Sequence, residues 1–139
     1  MRKMMNKKGF SLVELMIVVV IMGILIAVAI PLYGAITKNA NNKTCSTNAK
    51  NIRAACATYF SSYDQKAMDS TADLQNMMED KKVPTCPLGG TYGIYVDKTT
   101  GAATVVCLNT KDGHSPDDVA REAPQDNNYN ILQTAAAAT

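Results

Sequence analysis

A chain of 139 residues with 14 basic and 12 acidic side chains, four cysteines, one histidine and no tryptophan has room for one small domain beside a membrane segment. Four of its cations, Arg2, Lys3, Lys7 and Lys8, precede the first apolar run, and without them ten basic side chains face twelve acidic ones, a balance of −2. The formal charge of +2 therefore does not describe a nucleic-acid-binding surface, and no like-charge block, basic-aromatic stripe or internal repeat supports one.

The first element is "NKKGFSLVELMIVVVIMGILIAVAIPLYG", residues 6–34. Leu15 to Ile30 is 16 residues without a charged or strongly polar side chain, and a helix from Phe10 to Ile30 spans about 31 Å, enough to cross a bilayer. Basic residues before a span stay on the cytoplasmic side, so the remainder of the chain is expected outside. Glu14 is the anomaly, because a carboxylate facing lipid costs roughly 2.5 kcal/mol at the bilayer centre and less near the interface. A secretory signal cut after Ala27-Val28-Ala29 leaves the long apolar run, Glu14 and the nearby Pro31 unexplained. A plain single-span anchor leaves Glu14 unexplained.

The string "KKGFSLVELMIVVVIMGILIAVAIP" resembles the N-terminus of type IV prepilins. It has a short basic leader, a Gly9-Phe10 junction, Glu14 as the fifth residue after that junction, and an apolar helix reaching Pro31. The resemblance covers about a quarter of the chain, residues 1–35. It implies cleavage between Gly9 and Phe10 by a membrane-embedded prepilin peptidase, N-methylation of Phe10, and a role for Glu14 in pairing with a subunit's N-terminal amine during filament assembly. A buried charge is tolerable when paired, so Glu14 becomes a register device rather than a cost.

The next segment, "AITKNANNKTCSTNAKNIRAACATYFSSY", turns amphipathic. Cys45, Ala49, Ile52, Cys56, Tyr59 and Tyr63 are spaced 4, 3, 4, 3, 4 and draw one seam along a helix, with Lys50 and Arg53 off the seam and facing water. The pattern predicts one long helix from about Ser11 to about Tyr63, bent or interrupted near Pro31 and Gly34, where proline removes a donor and clashes with the preceding turn. The Asn-rich piece Asn39 to Asn42 weakens continuity. The seam is expected to pack on a core, with a helix-in-groove contact to a foreign partner as the alternative.

Beyond the helix, "STADLQNMMEDKK" places Ser70 as an N-cap, Asp73 three residues on, and Leu74, Met77 and Met78 at helical spacing, predicting a short second helix. "KVPTCPLGG" breaks the chain. "TYGIYV" and "AATVVCL", joined by "DKTTG", predict a β-hairpin. The polar remainder contains one further strand around Tyr129 to Leu132 and an alanine tail expected to be disordered.

The expected architecture is α+β, a long N-terminal helix packed on a small antiparallel sheet head. It divides into a cleaved leader (1–9), a transmembrane and filament-core helix (10–33), an amphipathic helix (34–63) and a head (64–139). This arrangement also resembles the pilin head, and "CPLGGTYGIYV" followed by "VVC" resembles the heads of major pseudopilins and Gram-positive pilins.

Four cysteines in an external domain point to disulfides. Along a continuous helix Cys45 and Cys56 stand about 16.5 Å apart, beyond the roughly 7 Å Cα limit of a disulfide. Full pairing therefore staples helix to head, Cys45 and Cys56 with Cys86 and Cys107 in either order. The rival is Cys86 to Cys107 alone, with the helical pair left as buried thiols. A zinc site is the remaining alternative, set behind these because none of the tight Cys-x-x-Cys spacings occurs.

His114, in "TKDGHSPDD", is read as a solvated loop side chain; no G-x-S-x-G or other nucleophile motif accompanies it, and no enzyme activity is expected. Asp112, Asp117 and Asp118 offer hard oxygen ligands for calcium but lack EF-hand spacing, and similar loops in some major pseudopilins bind that ion. A solvated acidic loop is the preferred reading, without a cofactor.

The function expected is a structural subunit of a type IV pilus, serving adhesion, motility or DNA uptake. Its expected partners are other copies of itself in a helical homopolymer, prepilin peptidase, an assembly ATPase and an inner-membrane platform protein. It would sit in the cytoplasmic membrane before assembly and in a surface filament afterwards. The alternatives are a pseudopilin of a type II secretion or competence system, and a membrane-tethered extracellular binding domain that does not polymerise.

Overall fold

The computed structural model describes residues 9–109, 114–116 and 118–133. Five elements follow in chain order: helix α1 (Leu12–Ser62), helix α2 (Thr71–Met77), and strands β1 (Gly93–Asp97), β2 (Ala103–Val106) and β3 (Tyr129–Gln133). The α+β architecture matches the sequence expectation, and the chain separates into two compact units, Met1–Thr37 and Lys38–Thr139.

Helix α1 runs unbroken through Pro31, Gly34 and the Asn-rich stretch, so the interruption considered there does not occur. Its polar residues are compatible with helix because Thr37, Thr44, Thr58 and Ser61 donate their hydroxyls to the carbonyl four residues back, at 2.9–3.0 Å. In the second unit the predicted seam is buried: Cys45, Ala49, Ile52, Ala55, Cys56 and Tyr59 face the core. Tyr63 does not join them. It is 55% exposed because α1 ends at Ser62 and the chain turns away through positive φ at Asp64 and Gln65. Its ring instead stacks on Tyr59, centroids 4.4 Å apart.

Helix α2 begins where the sequence places it. The Ser70 hydroxyl accepts the Asp73 N–H at 3.1 Å and donates to the Asp73 carboxylate at 2.7 Å, satisfying an orphan donor of the first turn. Leu74 points into the core.

The sheet has the order β2-β1-β3 with both pairings antiparallel. Ile94 sits opposite Val105 and Val96 opposite Ala103; a register shift between Ile94 and Tyr95 carries the other edge to β3. Buried Ile94 and Val96 alternate with half-buried Tyr95, the period-two pattern of a sheet with one core face. The hairpin turn is held by Asp97, whose carboxylate accepts the N–H groups of Thr99 and Thr100 at 2.8 Å each. Gly101 completes it at φ 70°, directly against the ring of Phe60 on α1. Strand β3 is tied to the α2 region by Thr71 donating to the Leu132 carbonyl (2.6 Å) and Asn130 donating to the Met68 carbonyl (3.1 Å).

The core gathers the α1 seam, Met68, Leu74, Tyr92, Ile94, Val96, Val105 and Leu132. Each large aliphatic side chain buried there contributes about 1.5–3 kcal/mol relative to exposure.

Candidate functional site

Two groups of residues carry chemistry. The first lies at the start of α1. Gly9 and Phe10 precede the helix in irregular backbone, Phe10 is 88% exposed, and a Cβ added at Gly9 would meet nothing within 4 Å. The bond between them is open to a peptidase. Ser11 caps the helix, its hydroxyl accepting the Val13 N–H at 3.3 Å, while Glu14 reaches back to accept the Ser11 N–H at 3.1 Å. The Glu14 bond is the carboxylate half of a capping box, with the Ser11 hydroxyl taking the second rather than the third helical N–H; the Ser-x-x-Glu signature is present in "SLVE", to which only an assembly role for Glu14 is assigned above. The carboxylate thus has a hydrogen-bond partner one residue from the Gly9-Phe10 bond.

From Phe10 to Ile36 no large apolar side chain is covered by the rest of the chain, exposures ranging from 48% at Val18 to 88% at Phe10. Such a contiguous apolar surface marks a membrane or protein contact. Among the described residues one helix, α1, is long and apolar enough to cross a membrane.

The second group is in the head. The Sγ atoms of Cys45, Cys86 and Cys107 and a ring nitrogen of His114 lie within 4.8 Å of one another, and all four residues are buried. Four separate pieces of chain supply them. Cys45 comes from the α1 seam, and Cys86 opens a tight turn in which the Gly89 N–H donates to the Cys86 carbonyl (2.9 Å) and the Cys86 N–H donates to the Gly90 carbonyl (3.3 Å). That turn needs φ of 91° and 82° at Gly89 and Gly90, which glycine adopts without a Cβ clash. Cys107 follows β2, and His114 lies further along the chain.

Asn109 and Arg121 lock these pieces together. The Asn109 side-chain amide donates to the Leu88 and Gly89 carbonyls at 3.1 and 3.0 Å. Arg121 donates to the carbonyls of Cys107 (2.8 Å), Asn109 (2.9 Å) and His114 (2.6 Å). Within the cluster the Leu88 backbone N–H donates to the Cys86 sulfur and the Asn109 backbone N–H to the Cys107 sulfur. Cys45 donates to Cys107, so the Cys107 thiol is held below its ordinary value by that hydrogen bond, and Cys45 is raised by the same bond and by burial. Tyr92 approaches Cys45, and burial raises its phenol.

The structure brings Cys45, Cys86 and Cys107 together and places Cys56 apart from them. All four are free and buried. Cys56, predicted to pair with Cys86 or Cys107, is not in the cluster, because both of those converge on Cys45 at the other end of the seam. Burial pushes the Cys56 thiol up to about 11. His114 is likewise corrected: it is 3% exposed, not solvated, with Nε2 3.5 Å from the Cys86 sulfur and Nδ1 without a hydrogen-bond partner among the described residues. Sequence spacing could not reveal the group, since its members meet only through tertiary folding.

Of the calcium candidates, Asp112 and Asp117 lie outside the described residues. The Asp118 carboxylate is engaged by Lys50 at 3.0 Å and by the Ser46 hydroxyl at 3.2 Å. Arg53 donates to the Asp118 carbonyl, so neither of the two off-seam cations is merely solvated.

An apolar helical stretch left uncovered by the chain and opening on an accessible Gly-Phe bond, together with a small α+β unit that has its own buried core, defines a small α+β protein carrying a membrane-compatible helix. Residues 4–30 match the family described as the prokaryotic N-terminal methylation motif. The chain is 32% identical over 115 residues to the type IV narrow pilus major component PilA5 of Thermus thermophilus, covering 78% of this chain and 84% of that protein. It is 36% identical over 85 residues to the competence protein ComGC of Bacillus subtilis (61% of this chain, 86% of that protein). It is 30% identical over 104 residues to the type IV major pilin protein PilE1 of Neisseria gonorrhoeae (75% and 59%). No solved structure gives a significant match. The chain belongs to the type IV pilin family.

Proposed function

We propose that this chain is a structural subunit of a type IV pilus filament, cut between Gly9 and Phe10, methylated at the new Phe10 amine, and polymerised through the apolar half of α1. The observation that carries this is the uncovered apolar surface from Phe10 to Ile36, joined to a head with its own buried core. In the membrane, lipid covers that surface; in a filament, neighbouring copies do. A self-repeating contact between different surfaces that does not close builds a fibre.

Glu14 changes partner in this scheme. In the chain it accepts the Ser11 N–H; in a filament it would meet the methylated ammonium of a neighbouring subunit, where low dielectric strengthens the pairing. The basic residues before the junction support a leader in the cytoplasm and a head outside. Prepilin peptidase, an assembly ATPase and an inner-membrane platform protein are the machinery such a subunit requires, and the filament would serve adhesion, motility or DNA uptake.

Mass spectrometry of the N-terminal peptide from the native host tests processing. A chain beginning at methylated Phe10 is expected; one beginning at Ile30 would replace this reading with a secreted domain. Glu14→Ala tests assembly: fibre formation should fall while the precursor still inserts, and unchanged fibre yield would favour a tethered domain that never polymerises. A second reading, a competence or secretion pseudopilus, draws support from the likeness to ComGC across most of that protein's length. Long surface fibres made of this subunit would count against it.

A further inference from the structure

We propose that Cys45, Cys86, Cys107 and His114 form a structural zinc site that clamps the α1 spine to the head. The four donors, three soft thiols and one imidazole, are the set that suits zinc, and they converge within 4.8 Å in a buried place. Tetrahedral zinc, with bonds near 2.3 Å to sulfur and 2.0–2.1 Å to nitrogen, sets its ligands about 3.5–3.8 Å apart. The Cys86 sulfur and His114 Nε2 already stand 3.5 Å apart. The widest separation exceeds the ideal by about 1 Å, which side-chain rotation can close.

Three further observations point to a ligand rather than to packing. His114 is 3% exposed, yet its Nδ1 has no hydrogen-bond partner among the described residues and its Nε2 meets a sulfur. A buried imidazole left without strong hydrogen bonds is costly, and a metal ion taking one of its nitrogens would remove that cost. Next, the Leu88 and Asn109 backbone N–H groups, each two residues beyond a cysteine, donate to the sulfurs of Cys86 and Cys107, spreading the negative charge that thiolates would carry. Finally, Arg121 holds the carbonyls of Cys107, Asn109 and His114 together. Its cation lies beside a centre that, with three thiolates, one neutral imidazole and one zinc ion, has a net charge of about −1. Such outer groups orient ligands and tune affinity.

Binding involves no redox step. Three thiols lose their protons to solvent, three Zn–S bonds and one Zn–N bond form, and the ion sheds its water. Cys56 takes no part.

The test uses the detergent-solubilised full chain, purified without chelator, and zinc and cobalt as probes. Elemental analysis and native mass spectrometry should give one zinc per chain, and cobalt exchange should give the thiolate charge-transfer and intense d–d bands of a tetrahedral site. Cys86→Ser and His114→Ala should fall well below one zinc per chain, and Cys56→Ser should retain it. Arg121→Met should weaken binding by about 10–100-fold, the usual effect of an outer-shell change. A metal-free wild-type chain that takes up neither ion would overturn the proposal, whether its thiols are free or two hydrogens are missing as a disulfide. So would zinc retained equally by Cys86→Ser and His114→Ala. The wild-type mass and cobalt spectrum decide the matter even where a variant fails to fold.

Discussion

Gly101→Ala probes whether the hairpin turn fixes the sheet against the helical spine. Gly101 has φ 70°, and a Cβ built there would lie 2.6 Å from the Cβ of Phe60 and closer still to its Cγ. Those atoms are close to the α1 backbone, so a swing of the ring tip cannot relieve the clash. The left-handed backbone costs a non-glycine residue about 1–2 kcal/mol, and the overpacking adds about 1–3 kcal/mol, together roughly 2–5 kcal/mol. For a head of this size, a melting temperature falls about 4–8 °C per kcal/mol. Denaturation of the detergent-solubilised chain, followed by circular dichroism, should show a loss at least as large as the lower bound. The two components separate in a double-mutant cycle, because Phe60→Gly removes both the ring and the Cβ that the new methyl would meet while leaving φ at position 101 unchanged. In that background Gly101→Ala should cost only the backbone share, about 1–2 kcal/mol. The reasoning is refuted if Gly101→Ala lies within ~0.5 kcal/mol of wild type, the range of an ordinary surface change, or if its cost is the same in both backgrounds.

Ile52→Ala removes a fully buried seam residue and should destabilise the head by about 2–5 kcal/mol in denaturant titration. Val18→Ala, on the uncovered stretch of α1, should leave head stability unchanged. Ser70→Ala deletes the cap of α2 and should cost about 1 kcal/mol by the same assay. The Asp97 carboxyl is held below its ordinary range by the N–H groups of Thr100 and Thr99. Its charge therefore stabilises the fold above the unfolded carboxylate value of about 4, and that contribution disappears as pH falls through the lower folded value. In melting curves against pH, Asp97→Asn should be less stable than wild type near neutrality and converge with it in acid. A gap that persists undiminished at low pH would show that the hydrogen-bond geometry, not the charge, holds the turn.

The parts of the fold legible in the sequence are those set by local periodicity and turn chemistry. The seam from Cys45 to Tyr59 follows from the 3.6-residue helical repeat, the hairpin from alternating β-branched residues around "DKTTG", and the α2 cap from Ser70 and Asp73. Tyr63 extends the same spacing by one step, yet the helix stops at Ser62; periodicity says which face a residue takes, not where a helix ends. The N-terminal methylation motif was legible because residues 4–30 form one contiguous pattern. The cysteine-histidine group was not, because Cys45, Cys86, Cys107 and His114 are far apart in sequence and meet only when α1, the Cys86 turn and the segments after β2 fold together.

The two units of the chain are stabilised by different means, and this bears on how one molecule can serve in two surroundings. The apolar side chains from Phe10 to Ile36 have no cover within the chain; under the proposed function lipid would supply it before assembly and neighbouring subunits afterwards. The head, by contrast, has a buried core built from contacts within the chain. Its core is small, and small cores are marginal unless distant segments are cross-linked. The cluster of Cys45, Cys86, Cys107 and His114 joins the helical spine to three later segments, closing long loops whose entropy would otherwise favour the unfolded chain. A zinc ion there would make the head's stability depend on metal while leaving the stem's dependent on its surroundings. Chelation should therefore lower the melting transition of the head without releasing the apolar helix from detergent or membrane; loss of both together would show that the units are not independent.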